Sequence, residues 1–500
     1  MSKNLVIVES PAKAKTIEKF LGPDYVVKSS IGHIRDMPKK DMGVDIENNF
    51  QPTYAISADK KKVVADLKKS VKTATKIFLA TDEDREGEAI AWHLQQALSL
   101  AEDTPRIVFH EITKGAITEA INNPRTIDTD LVNAQQARRI IDRLVGFEIS
   151  PVLWRKISGA RSAGRVQSPV VRIVVERERE ISAHSSTSSH KVKANLANSS
   201  NQFLEVKLSV DFKSKEEALS FAESVLLAEL KVNSVETKPS KRSPKAPFIT
   251  STLQQEASQK LGFSVKQTMS IAQNLYREGA ITYMRTDSLN LSETAITAAQ
   301  EVIVSKFGSE FHQARRYKTN SSGAQEAHEA IRPTDLTKPS ILGLDDQSTK
   351  LYSLIYKRTL ASQMSDAQLQ KTKININISN RKEHFIADGE VLSFAGFLEV
   401  YDYMAAEDKL LPEVSKGDLM TLVDLASKES FSRAKPRFTE ASLVKEIEQM
   451  GIGRPSTFAT MITTVQDRNY VVKETREGVQ RDYQLIEIED GVISESIQTE

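Results

Sequence analysis

Three short, largely apolar runs stand out in the first 110 residues, at 5–8, 76–80 and 106–110. A continuous apolar run is typical of a strand that is buried on both faces of a parallel sheet. Residues at helical spacing follow each run, as after Pro11, where the proline favours the first turn of a helix. Strands that alternate with helices in this way predict an α/β domain over residues 1–148.

The pattern changes after residue 190. Short runs in which apolar and polar residues alternate occur near Val192 and again from about 367 to 425, and they predict antiparallel strands. Helical spacing dominates the residues between them, so we expect a helical insertion carried on one β scaffold. The sequence therefore predicts a multidomain fold of α/β plus α+β class. Its segments are an α/β domain at 1–148, helical segments at 149–190 and 433–500, β segments at 191–246 and 367–432, and the helical insertion at 247–366. The last segment is expected to be incomplete, because its final residues are polar and show no closing element.

Composition narrows the class of protein. The 500 residues include 39% hydrophobic and 27% charged residues, as is usual for a soluble globular protein. Because the chain contains no cysteine, disulfides and thiolate metal sites are excluded. The N-terminus lacks the apolar core of a signal peptide, and no apolar run approaches the ~18 residues of a membrane span. We therefore expect a cytoplasmic protein.

The stretch from Glu278 to Ser288 carries the first candidate chemistry. A helix that begins after Ser264 should end at Gly279, and a short extended segment follows it. Alternate residues of an extended segment share a face, so Tyr283 and Arg285 should point the same way, with Asp287 beside them. An arginine can hold a phosphate in two hydrogen bonds, and a phenol with a pKa near ~10 can attack it once activated. The alternative from this stretch alone is a tyrosine buried in a core.

Acidic residues follow two of the predicted strands. Asp82, Asp84 and Glu86 come after the second strand at alternate positions, and Glu9 ends the first. The carboxyl ends of parallel strands are where open α/β sheets place their ligands. A group of carboxylates needs a cation, and oxygen-only ligands favour Mg²⁺. The alternative is a solvated acidic loop, the commoner fate of a charge run. Lys13, one helical turn beyond Glu9, should lie close to that carboxylate.

Basic residues mark candidate phosphate contacts elsewhere. Between residues 138 and 180 there are ten basic and five acidic residues. Arg161 and Arg165 flank small residues that allow close backbone approach to a ligand. Arg454 lies in a turn before a predicted helix N-terminus, which favours anions. His328 has acidic neighbours and an arginine nearby, although a single histidine is more often structural.

Taken in order, these motifs make the chain similar to bacterial type IA DNA topoisomerases, in the topoisomerase I branch, over nearly its whole length. The acids resemble those of the Toprim domain, which topoisomerases share with primases and some nucleases. The resemblance rests on six motifs in sequence order: residues 6–15, 32–35, 82–88, 162–168, 281–288 and 451–457.

The resemblance implies a ring made of a Toprim domain, a helical base, a β arch and a mostly helical tyrosine domain. It implies that Tyr283 forms a 5′-phosphotyrosyl link with single-stranded DNA, that Arg285 stabilises the scissile phosphate, and that Lys13 and Glu9 assist proton transfer to the leaving group. It further implies a magnesium site at Asp82, Asp84, Glu86 and Glu9. Contacts to DNA are implied for His33, Arg138, Arg161, Arg165, Gln167, Asp287, Ser288, His328, Arg454, Ser456 and Thr457.

The expected activity is relaxation of negatively supercoiled DNA by a monomer, without ATP. The chain has no Gly-Lys dipeptide and hence no phosphate-binding loop of the Walker type. Members of this family usually continue beyond the point where this chain ends, so we expect a truncated chain in which DNA cleavage survives and full relaxation is doubtful. The alternatives are a Toprim nuclease or primase, which would not need Tyr283, and a fragment that only binds or cleaves single-stranded DNA.

Overall fold

A computed structural model describes residues 3–318, 328–401 and 410–500. Its regular elements follow the chain from a parallel sheet, through helices and a large antiparallel sheet, into the helical region that carries Tyr283. None of the helices within these residues is long and apolar enough to cross a membrane.

The N-terminal domain is built on a three-stranded parallel sheet. The strands of the sheet are β1 (Asn4–Val8), β2 (Tyr25–Ser29) and β7 (Ile77–Leu79), in the order β2-β1-β7. Outside this sheet lie the two-residue strands β3 (Arg35–Asp36), β4 (Val44–Asp45), β5 (Gln51–Pro52) and β6 (Ala55–Ile56). The helices are α1 (Pro11–Leu21), α2 (Lys61–Thr73), α3 (Arg85–Leu98) and α4 (Lys114–Asn122). The third apolar run forms no regular strand, although Arg106 pairs with Leu79 as a parallel neighbour of β7. Thr113 caps α4 by accepting the Ala116 N–H.

Three helices lead from this domain to the antiparallel sheet. They are α5 (Thr129–Leu144), α6 (Ser150–Lys156) and α7 (Gln167–Ala183), with a π-helical turn at Val145–Ile149 between the first two. Asp128 caps α5 by accepting two backbone N–H groups, and α5 packs against α3. The helix α3 follows the acidic residues 82–84. Because α5 packs against α3, the arginines of α5 come close to the predicted metal ligands.

The β segments form one antiparallel sheet of eight strands in the order β10-β11-β12-β9-β8-β13-β14-β15. They are β8 (Ser188–Ala197), β9 (Phe203–Leu208), β10 (Leu230–Arg242), β11 (Ala367–Ile378), β12 (His384–Phe394), β13 (Leu419–Phe431), β14 (Asp482–Glu489) and β15 (Val492–Thr499), with α8 (Lys215–Val225) against them. Pairing of β10 with β13 closes six of these strands into a barrel-like arch. The expected joining of the two β segments is therefore observed.

The C-terminal residues differ from the prediction. The sequence indicated only a helical segment at 433–500 with no closing element, but residues 482–499 form the hairpin of β14 and β15, which pairs with β13 of the arch. Charged residues alternate with apolar ones in β14, and its inward side chains Ile486 and Ile488 complete the core of the arch. The polar character of β15, at the edge of the sheet, hid this hairpin from the sequence analysis.

Helices make up most of the tyrosine region. They are α9 (Thr250–Leu261), α10 (Val265–Arg277), α11 (Glu293–Phe307) and α12 (Asp346–Ser362). Two further helices, α13 (Glu440–Gln449) and α14 (Phe458–Asp467), follow β13 and belong to the helical base. Short 3-10 turns lie at Ala58–Lys60, Ser309–Phe311 and Gly396–Glu399. As predicted, Ser264 caps α10, through the N–H of Gln267.

The parts of the described chain close into a ring, as the predicted fold class requires. The chain leaves the arch after β10 and returns to it at β11, so the tyrosine region is an insertion. That region shares one core with the parallel sheet, in which Val6 and Phe78 pack with Tyr276 and Ile281. It also packs on the helical base formed by α7, α13 and α14: α9 contacts α13, and α10 contacts α14. Within this base α7 contacts α14, and the chain continues from each of these two helices into a strand of the arch.

Gly279 provides a test of how closely the tyrosine region meets the parallel-sheet domain. Its φ is +74°, and a Cβ there would lie 2.5 Å from the Ile112 carbonyl oxygen. Gly262 has a similar φ of +69° with no heavy atom near its Cβ position. We expect Gly262→Ala to cost about 1–2 kcal/mol of backbone strain and Gly279→Ala to cost more, because the Ile112 backbone must also move. Thermal unfolding of the two variants measures this, and equal melting temperatures would contradict it.

Candidate active site

The backbone around Tyr283 is held from two sides. On the side of its own domain, the Thr282 N–H donates to the Arg332 carbonyl and the Thr282 hydroxyl donates to the Ala330 carbonyl. On the other side, the Tyr283 N–H donates to the carbonyl of His110, in the parallel-sheet domain. We call this contact between residues 110–112 and residues 279–283 and 328–332 the seam. It fixes the tyrosine directly above the carboxyl edge of the parallel sheet.

The phenol of Tyr283 meets the acidic loop. Its hydroxyl donates to Asp84 Oδ2 at 2.6 Å, and Arg285 Nη1 lies 3.8 Å from the same oxygen. Tyr283 and Arg285 thus share a face, as their spacing predicted. Tyr283 is only 2% exposed and its ring packs edge-on against Tyr276 at 5.2 Å between centroids. The ring is therefore buried like a core residue, while its hydroxyl lies on a carboxylate. Burial and the charge of Asp84 raise the pKa of Tyr283 well above its usual value.

Lys13 occupies the centre of the acidic group. Its ammonium lies 2.8 Å from Asp82 Oδ1 and 3.0 Å from Glu9 Oε1, and the side chain is 1% exposed. The rings of Phe109 and Tyr276 cover it, with the ammonium 5.0 and 5.6 Å from their centroids. Burial opposes the charge of Lys13, but the Asp82 and Glu9 carboxylates outweigh it and raise its pKa. The helix α1 thus delivers a charged lysine to the ends of β1 and β7.

The acids around Lys13 are short of positive charge. Burial and the nearby Asp82 carboxylate raise the pKa of Glu9 to about 7, and Glu9 Oε2 is buried without a hydrogen-bond partner. Burial and Asp82 also raise the pKa of Asp84. The pKa of Asp82 is lowered, since Lys13 and Arg285 overcome the effect of its burial. Burial therefore favours the protonated forms of Glu9 and Asp84, so the cluster can exchange a proton near neutral pH.

Glu86 lies apart from the other predicted metal ligands. Its Oε2 contacts His33 Nε2 and the Gln135 side-chain amide, each at 3.2 Å, and these contacts overcome burial to lower its pKa. In the part of the chain that the structure describes, no three acidic or histidine side chains converge as a metal-binding group. The four predicted ligands thus do not form one cluster here. The unpaired oxygen of Glu9 and the raised pKa values of Glu9 and Asp84 nevertheless fit an oxygen-binding cation.

Arg106, which the sequence analysis passed over as part of a strand, supports the acidic loop from below. It is 0% exposed, and its guanidinium donates to the carbonyls of Thr81 at 2.8 Å and Asp82 at 2.7 Å. Its Nε donates to Glu88, which Arg125 holds from the other side. A charged residue within an apolar run was the signal for this network, because a buried arginine needs a carboxylate and several acceptors.

A small cavity beside Tyr283 is lined by several of the residues that are predicted to contact DNA. It is lined by Asp84, Arg85, Glu86, Arg138, Arg285, Asp287, His328, Arg454, Pro455 and Ser456. A larger groove of about 470 Å³ continues along α5 and α14, with Arg138, Arg165, Gln167 and Thr457 in its walls. The two share Arg138, so together they form one basic path that leads to the tyrosine.

The larger groove also contains arginines that the sequence did not single out. Arg139, Arg143 and Arg468 line the larger groove, and the i,i+4 spacing of Arg139 and Arg143 was the available signal for the first two. His33 lines a neighbouring cavity with Glu86. Arg161 instead donates to the Asp467 carbonyl, and Ser288 is buried and accepts the Asn290 N–H. Contacts of all the predicted residues with DNA stay predictions.

Comparison with known proteins places this site in a family. A sequence profile described as "Toprim domain" matches residues 4–112, and one described as "DNA topoisomerase" matches residues 126–483. The fold and site are thus those of a protein with a Toprim sheet and a tyrosine region on a β arch. The chain belongs to the DNA topoisomerase family.

Two curated relatives and one solved structure show the extent of the similarity. The chain is 45% identical to DNA topoisomerase 1 of Streptomyces coelicolor, over 94% of this chain and 56% of the relative. It is 45% identical to DNA topoisomerase 1 of Escherichia coli, over 95% of this chain and 60% of the relative. The structure of full-length topoisomerase I from Thermotoga maritima superposes with a TM-score of 0.85 at 41% identity, covering 94% of this chain and 79% of that one. The chain thus spans little more than half the length of these two curated relatives.

The raised pKa of Glu9 gives a test of the acidic cluster without DNA. The pKa rises from 4.5 to about 7 on folding, so the protonated carboxyl stabilises the folded state below pH ~4.5, and this stabilisation is lost as the pH rises through 7. Glu9→Gln stays neutral throughout. In metal-free buffer, its stability relative to the parent protein should therefore increase from pH 5 to pH 8, by up to about 3 kcal/mol. Melting temperatures measure this, and a difference independent of pH would contradict the raised pKa of Glu9.

Proposed function

We propose that the chain cleaves and rejoins one strand of DNA through Tyr283, as the ATP-independent relaxation of negatively supercoiled DNA requires. The observation that carries the proposal is the hydrogen bond of 2.6 Å between the Tyr283 hydroxyl and Asp84, beside the buried Lys13. A phenol aimed at a carboxylate, with an ammonium and a guanidinium in the same site, is a nucleophile with its proton acceptor and its phosphate-binding groups.

In the forward step, the phenol oxygen of Tyr283 attacks the scissile phosphorus and its proton passes to Asp84. The raised pKa of Asp84 suits it to accept that proton. The bond from phosphorus to the 3′-oxygen breaks, and this oxygen takes a proton from the Lys13 and Glu9 pair. With a pKa of about 7, Glu9 can supply and recover a proton near neutral pH. Reversal of the same steps rejoins the strand.

The covalent link conserves the energy of the phosphodiester bond, because one phosphate ester replaces another. Rejoining therefore requires no ATP. Arg285 stabilises the negative charge that grows on the phosphate oxygens. In the structure Arg285 faces Asp84, and burial opposes its charge less than Tyr283 and Asp84 favour it, so its pKa is raised. It remains a cation when DNA enters.

We propose that Asp82, Asp84 and Glu86, with Glu9, would hold Mg²⁺ through those carboxylate oxygens that do not carry the transferred proton. The ion, when bound, supplies positive charge next to the DNA phosphates. The residues of the chain support this through their chemistry: all four donors are carboxylates, and one buried oxygen of Glu9 has no partner. Lys13 already neutralises part of the charge of Glu9 and Asp82. Because Glu86 contacts His33, it would have to turn towards the other acids to help hold the ion.

The basic path is the proposed route of single-stranded DNA to the tyrosine. Arg138, Arg165 and Arg454 supply positive charge along it, and Trp154 and Phe147 add aromatic surface in the larger groove. Such a combination of arginines and aromatic rings favours unpaired bases and phosphates. Underwound DNA provides the unpaired stretch, which is why we propose negatively supercoiled DNA as the substrate. We further propose that the chain acts as a monomer.

Burial of Tyr283 means that the seam must open before DNA reaches the phenol. The tyrosine region joins the arch at two points, after β10 and before β11, and these are the hinges that the topology provides. Opening would break the hydrogen bond from Tyr283 to His110 and the ion pair of 3.0 Å between Arg332 and Glu111. In this proposal, the intact seam is the closed state.

The direct test uses a single-stranded oligonucleotide that is labelled at its 3′ end, with Mg²⁺ present. After denaturation with detergent, the label should migrate with the protein, because a 5′-phosphotyrosyl link retains the 3′ fragment. Tyr283→Phe should abolish this adduct, while Tyr276→Phe, which alters the neighbouring ring, should retain it.

Free cleaved ends that persist in Tyr283→Phe would instead indicate a Toprim nuclease. Binding of the oligonucleotide without any cleavage by the parent protein would indicate a binding module. Either result overturns the proposed function.

A further inference from the structure

Glu83 is a buried carboxylate that has no role in the proposed reaction as described above. It lies between the two aspartates of the acidic loop, but its side chain turns away from Lys13 and into the seam. It is 5% exposed. A buried carboxylate is costly unless charged or hydrogen-bonded groups compensate it. The groups that face Glu83 are two histidines, one from each side of the seam.

The first histidine belongs to the same domain. His110 Nδ1 forms a short ion pair with Glu83 Oε2. Its contact with Glu83 outweighs burial and raises the pKa of His110. The backbone carbonyl of His110 is also the acceptor for the Tyr283 N–H. Glu83 therefore fixes the residue that receives the backbone of the nucleophile.

The second histidine comes from the tyrosine region. His328 Nε2 lies 4.0 Å from Glu83 Oε1, and the two imidazole rings are 6.2 Å apart between centroids. His328 is 5% exposed, and its Nδ1 is buried without a hydrogen-bond partner. A carboxylate that faces Nε2 favours a proton on that nitrogen and leaves Nδ1 as the atom available to a ligand. His328 also lines the cavity that contains Arg285.

We propose that Glu83 is a positioning residue that orients His328 towards the scissile phosphate and links this orientation to closure of the seam. This inference rests on the proposed function, because it assigns a phosphate contact to His328. The reason is geometric: Glu83 reaches His328 only when the tyrosine region is closed on the acidic loop. Closure therefore places Tyr283 on Asp84 and His328 on Glu83 together.

The test measures the rate constant of adduct formation and the affinity for the oligonucleotide separately. Glu83→Gln keeps the size of the side chain and removes its charge. We expect the rate constant to fall about tenfold, with affinity changed less than about twofold, because a positioning residue acts on the bound state. His328→Gln should lower the rate constant at least as much. The rate constant of the double variant should be within about twofold of that of His328→Gln, since the two residues act as one unit.

Glu111→Gln is the matched control. Glu111 is also a seam carboxylate, but its side chain pairs with Arg332, at 3.0 Å, and accepts a hydrogen bond from the Thr113 hydroxyl, and among the described residues it forms no ion pair with either histidine. Its effect should multiply with that of His328→Gln. An unchanged rate constant in Glu83→Gln, or effects of Glu83→Gln and His328→Gln that multiply, would overturn the inference.

A second readout is independent of the proposed function. The chain contains 8 histidines, and the NMR signal of the His328 ring can be assigned by its loss in His328→Gln. That signal should shift in Glu83→Gln and remain in place in Glu111→Gln. A parent protein that forms no adduct but shows this shift would overturn the proposed function and retain the pairing of Glu83 with His328. The opposite result, an adduct with no shift, would overturn the pairing alone.

Discussion

The structure depends on a single buried ammonium group between two carboxylates. Lys13 lies within 3.0 Å of both Glu9 and Asp82, which end neighbouring strands of the parallel sheet. Without that charge, the carboxyl edge of the sheet could not be buried beneath the tyrosine region, because unpaired acids in an apolar seam are costly. The contact therefore joins the fold to the chemistry: it permits the ring to close, while burial and the Asp82 carboxylate raise the pKa of the neighbouring Glu9 to about 7.

Closure creates a conflict between packing and reactivity. The ring of Tyr283 packs on Tyr276 in the core shared by both domains, and its pKa is raised well above that of a free phenol. Burial thus keeps the phenol protonated, and a protonated phenol is a weak nucleophile. For the proposed reaction with DNA, the seam would have to open and the phosphate would have to replace part of that packing.

Much of this arrangement follows from local sequence patterns. Two apolar runs, one followed by Glu9 and the other by Asp82, predicted that these acids lie at one edge of a parallel sheet. The spacing of Tyr283 and Arg285 predicted that their side chains share a face. The resemblance in six motifs predicted the ring. Long-range features were not predictable in this way. The edge hairpin of β14 and β15 depends on pairing with β13. The position of Glu86 depends on His33, from the segment after β2, and on Gln135, from α5, both of which contact it. The buried roles of Arg106 and Glu83 appear only when distant segments meet.

The central claim is that the phenol of residue 283, and no other side chain, becomes joined to DNA. Digestion of the denatured adduct, followed by mass spectrometry of the nucleotide-bearing peptide, tests it most directly. We expect a nucleotide joined through its 5′ phosphate to the phenol oxygen of Tyr283. A nucleotide on Tyr276, whose ring lies 5.2 Å away between centroids, or on any other residue would contradict it.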